Sequence, residues 1–150
     1  MKADFLIQHS KLLYDSYRLV TGKVLLEGEF TASELADKLY EAPFVVLSHG
    51  AQSDPVFNYA NKTGQRLWEM NWEQFTALPS RLSAEPVAVA ERQAMLEEAH
   101  KNGYISNYTG VRISSTGKRF IIKDATLWNI YNASKQYQGQ AVIFTKWVFI

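Results

Sequence analysis

Apolar and polar positions fall into two textures along this chain. Over residues 5–20, Phe5, Leu6, Leu12, Leu13, Tyr17 and Val20 recur at three- and four-residue steps. That spacing predicts an amphipathic helix, and Gly22 follows as its stop. A second helix is expected up to Tyr40, capped by Thr31 or Ser33, with Leu35, Ala36 and Leu39 on its apolar side. After Pro43 the texture changes. Residues 44–47 read as a buried strand, 50–55 as a turn and 56–60 as a second strand. Asn61 can cap a short helix around 63–68. Asn71 with Gln74 has the spacing of a capping box for another helix, which Pro79 ends. An irregular link over 80–86 leads to a longer helix over about 87–101. His100, Lys101 and Gly103 supply its stop.

Residues 104–114, 118–131 and 137–150 then read as three long antiparallel strands joined by turns at 115–117 and 132–136. Strict alternation along the middle strand puts Phe120, Ile122, Asp124, Thr126, Trp128 and Ile130 on one face, the expected core face. Arg119, Ile121, Lys123, Ala125, Leu127 and Asn129 take the other, which is still partly apolar. In the last strand Val142, Phe144 and Val148 oppose Ala141, Ile143 and Trp147. A sheet apolar on both faces needs cover on both. The middle helices would cover one. The helices before Pro43, or a second subunit, would cover the other. Arg112, between Val111 and Ile113, is expected to face away from the core in a surface or inter-helix ion pair.

Composition narrows the picture. A chain of 150 residues with 47% hydrophobic and 21% charged residues has the size and balance of one globular domain. Its net charge of +1 gives no basic footprint for nucleic acid. The absence of cysteine removes disulfides, thiolate chemistry and Cys-type zinc sites. Asp4, His9 and Lys11 interrupt any signal-peptide apolar region, and no apolar run approaches the ~18 residues of a membrane span. A cytoplasmic location and no membrane partner are therefore expected.

The element order of two strands, helices and three long strands is that of PAS domains. Phe57-Asn58-Tyr59-Ala60-Asn61 resembles the second PAS strand with its Asn at the start of the next helix. Residues 67–75 resemble the segment after it, with Glu69 where many PAS domains have Gly. A closer likeness is to the MEKHLA domain, a PAS-related module of bacterial proteins and of the C-terminus of certain plant homeodomain-leucine zipper proteins. It rests on Leu47-Ser48-His49-Gly50 with Asp54-Pro55, on the run 78–86, on Gly110-Val111-Arg112-Ile113-Ser114, on Gly117-Lys118-Arg119-Phe120 and on Asp124-Ala125-Thr126-Leu127-Trp128-Asn129. The likeness runs from about residue 40 to the end and extends loosely through the N-terminal helices. The Met-Glu-Lys-His-Leu-Ala string itself is absent. No homeodomain or zipper occurs in these residues, so the plant proteins' DNA-binding role is not carried over. The resemblance implies an α+β, PAS-like five-stranded antiparallel sheet with helices on one face and N-terminal helices preceding it. Residues 1–40 would form a helical extension packed on a domain of 41–150. It implies sensing, small-ligand binding or protein–protein contact, and carries no established catalytic set. The ligand is unspecified, and a homodimer or a signalling partner protein would pass the signal on.

The polar residues offer fragments of catalytic motifs but no complete one. Ser48, His49 and Asp54 look like fragments of a nucleophilic triad, but neighbours on a strand point to opposite faces. Ser115-Thr116-Gly117-Lys118 joins two strands rather than opening a helix, and Arg119 replaces the hydroxyl residue of a phosphate loop. His9, His49 and His100 lack metal-ligand spacing. Asp124 is sharper: a buried carboxylate must be paired or protonated, so it is expected to be held by Arg81, a backbone N–H or Asn61, or to anchor a ligand. The expected ligand-binding residues are Trp128, Asp124, Asn61, Tyr59, Arg81 and His49, with no catalytic or metal site. Three functions compete: a sensory or ligand-binding module, an interaction or dimerisation module, and a small enzyme with Asp124 as buried base.

Overall fold

The computed structural model describes residues 3–84 and 89–150. Local chemistry sets most element boundaries. Helix α1 (Ala3–Thr21) ends at Gly22, whose φ of 73° is left-handed and whose N–H reaches the Arg18 carbonyl at 2.9 Å. Helix α2 (Ala32–Tyr40) opens in a capping box. The Glu34 N–H donates to Thr31 Oγ1 at 3.1 Å, and the Thr31 N–H to Glu34 Oε1 at 2.9 Å. Strands β1 (Val45–His49) and β2 (Phe57–Ala60) follow, then α3 (Lys62–Trp68), capped by Asn61. Helix α4 (Trp72–Phe75) opens in the Asn71–Gln74 box. A 3₁₀ turn (Ser80–Ser83) precedes α5 (Val89–Asn102). Strands β3 (Tyr104–Ile113), β4 (Arg119–Tyr131), β5 (Tyr137–Phe144) and β6 (Lys146–Phe149) complete the chain. The expected helix start at residue 87, like positions 85 and 86 of the link, lies outside the described residues.

The strands form one antiparallel sheet in the order β2-β1-β5-β4-β3, with β6 pairing β4. This is the PAS-like α+β fold expected. It has six strands rather than five because Thr145 breaks the last long strand in two. Helices pack on both faces. On the inner face Trp68 sits at the centre, with the rings of Phe120, Phe75 and Phe144 edge-on at 5.0, 5.8 and 6.2 Å. On the outer face Leu13 of α1 and Leu39 of α2 pack with Val46, Tyr59, Trp128 and Ile130. Val45, Val46 and Leu47 are all buried yet serve the two cores alternately, as period-two geometry requires.

Alternation does not run unbroken through the long strands. From Ile105↔Leu127 to Tyr108↔Ala125, β3 advances three residues and β4 two; from Tyr108↔Ala125 to Gly110↔Ile122, β3 advances two and β4 three. Each strand therefore carries one extra residue, and each bulge contains a left-handed non-glycine: Asn107 (φ 55°) on β3 and Asp124 (φ 52°) on β4. Short Asn and Asp side chains tolerate that region best among residues with a Cβ. Thr145 makes the matching break between β5 and β6. The three irregularities line up across neighbouring strands, and bulges of this kind bend and twist the strands that carry them.

This line of bulges corrects the expected facing. Asp124 points to solvent, its side chain 62% exposed, with Lys146 Nζ at 3.4 Å as its ion partner rather than Arg81 or Asn61. Trp128 is fully buried but on the outer face, with Tyr17 of α1 edge-on at 4.9 Å. Leu127 takes the inner face instead. Arg112 also turns inward, opposite Phe120, while Val111 faces out.

Two further features position the site. Helix α1 is held to the sheet by polar contacts: Ser16 Oγ donates to the Tyr131 carbonyl and accepts from the Tyr131 N–H, both at 3.0 Å. The stretch from Pro79 to Ala84 forms a strap. Pro79 bridges Val56 beside the β2 edge, and Ala84 bridges Arg112 on the β3 edge. In between, the Ser83 carbonyl accepts the Trp68 indole N–H at 3.3 Å.

Candidate functional site

The inner face of β1, β5, β4 and β3, the strap and α5 line a half-open cavity of about 1330 Å³. Its walls are largely apolar. Leu47, Val142, Leu127, Ile122, Phe57 and Phe144 contribute from the sheet, and Leu82 and Met95 from the opposite side. The volume exceeds the roughly 300–1,000 Å³ of common small-molecule sites.

A polar row crosses this apolar floor. His49, Gln140 and Asn129 are successive register partners on β1, β5 and β4, so their side chains stand side by side on the inner face. Gly139 lets β5 approach β1 there. Its φ of 137° suits glycine, and a Cβ would collide with the His49 carbonyl oxygen. Asn129 Nδ2 donates to the Ala99 carbonyl of α5 at 3.1 Å, and Gln140 Nε2 donates to Asn129 Oδ1 at 3.3 Å. His49 Nδ1 lies 2.8 Å from the Gly50 carbonyl oxygen. Burial holds this imidazole below its usual value, partly offset by that bond, so the ring is neutral near pH 7. Arg112 supplies a positive group at the β3 side. It donates to the Tyr108 hydroxyl at 3.3 Å and stacks 5.4 Å from that ring. Arg81 on the strap also lines the cavity and pairs with Asp54 at 3.2 Å, an exposed ion pair.

Of the six residues expected to bind a ligand, the cavity brings together His49 and Arg81. Trp128 lies behind the sheet and Asp124 is on the surface. Asn61 is fully buried but saturated. Its Oδ1 accepts from the Val46 and Gly64 N–H groups, both at 3.1 Å, and its Nδ2 donates to the Leu39 and Phe44 carbonyls at 3.1 and 2.8 Å. It ties α2, β1 and α3 together. Tyr59 belongs to the outer core, stacked at 5.5 Å on His9. Burial pushes its phenol above the ordinary range. Gln140, Asn129 and Arg112 were missed. Their signal was three polar residues inside strands otherwise rich in apolar ones.

Ser48 does meet an imidazole, but that of His9 on α1 rather than His49: Nε2 lies 2.8 Å from Ser48 Oγ in a buried contact. The Ser48 hydroxyl donates its one proton to Asn58 Oδ1 at 2.5 Å, so His9 must be the donor. That polarity is the reverse of a nucleophile–base pair. Among the described residues, no group of three His, Cys, Asp or Glu side chains could hold a metal ion. No helix of the described residues is long and apolar enough to cross a membrane.

Comparison with known proteins agrees with this architecture. The sequence profile of the MEKHLA domain matches residues 7–149. The homeobox-leucine zipper protein ATHB-14 of Arabidopsis thaliana is 27% identical over 142 residues, which cover 90% of this chain and 16% of that protein. The chain thus spans about a sixth of that relative's length. Among solved structures, the PAS domain of a Colwellia psychrerythraea protein superposes with a TM-score of 0.61 at 17% identity, over 77% of this chain and 92% of that one. The light-state dimer of the fungal blue-light photoreceptor Vivid gives 0.59 at 11% identity, over 88% and 90%.

Proposed function

Since the chain belongs to the MEKHLA domain family, we propose that it is a PAS-fold sensory module that binds a small molecule in its inner cavity and carries out no catalysis of its own. One observation carries this reading: a cavity of about 1330 Å³, apolar on most sides, with a few polar groups gathered on one floor. The enzyme alternative rested on a buried Asp124 and loses that support, because the carboxylate is exposed beside Lys146.

Native mass spectrometry of the purified protein tests the reading. A co-purifying mass released on denaturation is expected, and Leu127→Trp, which sets a bulky ring against the polar floor, should reduce it. A chain-only mass, together with no thermal shift from any member of a fragment library, would refute it.

A second reading has its own observation. Val111, Ile121 and Val148 form one apolar row across β3, β4 and β6 on the outer face, beyond the part packed by α1. Val148 is 48% exposed, and Ile150 beside it 57%. We propose that this strip contacts a second copy or a signalling partner. The similar Vivid structure is a dimer. Light scattering across a wide concentration range decides the homodimer version: Val148→Asp should dissociate a dimer, and a parent monomeric at every concentration removes it.

A further inference from the structure

The hydrogen-bond polarity of the cavity floor can be traced atom by atom. A backbone carbonyl only accepts, so the Asn129 amide facing the Ala99 carbonyl must present Nδ2 to it. That leaves Asn129 Oδ1 turned toward β5, where it accepts from Gln140 Nε2. The sense of the Gln140 amide is thereby fixed too, and its Oε1 is the oxygen left over. The same logic applies to His49. Its Nδ1 faces the Gly50 carbonyl and must carry the proton, so in the neutral ring Nε2 is a lone-pair acceptor. Among the described residues, neither Gln140 Oε1 nor His49 Nε2 has a hydrogen-bond partner. The two residues are directly opposed on β5 and β1, so their side chains project from adjacent positions of the floor.

We infer that this site selects a largely apolar molecule whose buried edge carries two hydrogen-bond donors, such as a cyclic urea or an aminoheterocycle, received by His49 Nε2 and Gln140 Oε1. The inference rests on the ligand-binding reading above and adds the chemistry of the bound edge. A ligand carbonyl between the donors would take the second Gln140 amide hydrogen. A molecule presenting only acceptors leaves both protein atoms desolvated and unpaired, so it is rejected rather than merely unrewarded.

The probes are 2-benzimidazolinone, with two ring N–H groups flanking a carbonyl, and its 1,3-dimethyl derivative, which lacks both donors. The cavity is far larger than either, so two methyl groups add no steric barrier. Affinities are measured by NMR titration of the full chain, with imidazole ¹⁵N shifts recorded for His49. The free protein should show His49 protonated on Nδ1. The parent compound should bind at least about tenfold more tightly than the dimethyl one, the loss expected for unpaired buried acceptors. His49→Phe and Gln140→Met, each checked for an unchanged fold by thermal melting, should each remove most of that preference. Equal affinity of the two probes for the cavity, or a proton on Nε2 in the free protein, would overturn the inference and leave the ligand-binding reading standing. Binding of neither probe up to the solubility limit would count against both.

Discussion

Replacing Asp124 by Val distinguishes two incompatible views of β4. If the strand alternated without interruption, position 124 would lie between Ile122 and Thr126 on an apolar face. Val, a strong strand former, would then stabilise it by up to ~1 kcal/mol. The structure puts the residue in a bulge at φ 52°, where a Cβ crowds the following carbonyl. That crowding costs roughly 1–2 kcal/mol for ordinary residues and is worst for β-branched ones. The lost contact with Lys146 adds little. Both side chains are more than 60% exposed at a separation of 3.4 Å, and such pairs contribute about 0–1 kcal/mol. Asp124→Val should therefore destabilise the fold by about 2 kcal/mol. With a urea m-value of about 2 kcal/mol/M, the unfolding midpoint falls by about 1 M. Asp124→Asn should stay within about 0.5 kcal/mol of the parent, since Asn tolerates the same conformation. Lys146→Ala should do the same, which separates the backbone effect from the ion pair. A midpoint for Asp124→Val equal to or above the parent's would refute the bulge and restore simple alternation.

Three further outcomes follow from buried polar groups. Asn61→Ala strips partners from two N–H groups and two carbonyls at once and should cost about 3–4 kcal/mol in urea unfolding; a loss under ~1 kcal/mol would mean the network is dispensable. Tyr59→Phe should stay within about 1 kcal/mol of the parent, because the buried Tyr59 hydroxyl faces only the Ser10 hydroxyl in a poorly aligned contact, and a larger destabilisation would show that this contact is a full hydrogen bond. Burial lowers His9 to about 4 from an ordinary 6.5, so the unfolded chain takes up this proton first and stability falls as pH drops from 6.5 toward 4. That difference corresponds to about 3 kcal/mol; His9→Gln should flatten this part of the profile, and identical pH profiles for the two proteins would contradict it.

What the sequence made legible was chemistry confined to a few neighbouring residues. The Thr31–Glu34 and Asn71–Gln74 boxes, the Asn61 cap and the stop at Gly22 all depend on partners within four positions. The succession of elements along the chain could be read because periodicity changes sharply after Pro43; the order of strands within the sheet could not. The facing of the long strands could not. Asn107 and Asp124 look like ordinary polar residues in alternating strands, and nothing adjacent announces a positive φ. One extra residue reverses every position beyond it, so a correct reading at Phe120 and Ile122 became a reversed one at Leu127 and Trp128. The His9–Ser48 contact spans 39 positions, and the floor of His49, Gln140 and Asn129 joins three strands. Both require the fold before they can be seen.

The strap from Pro79 to Ala84 couples access to exposure. A β-sheet with open edges has two rows of backbone groups able to recruit foreign strands. Here one short segment touches both, at Val56 beside one edge and at Arg112 on the other, while roofing the cavity between them. Any movement of the strap large enough to admit a ligand from that side would unlatch at least one of these bridges. Loading would then carry a momentary risk of aggregation, and occupancy that holds the strap down would suppress it. In such a molecule, the bound state and the well-behaved state in solution would be the same state.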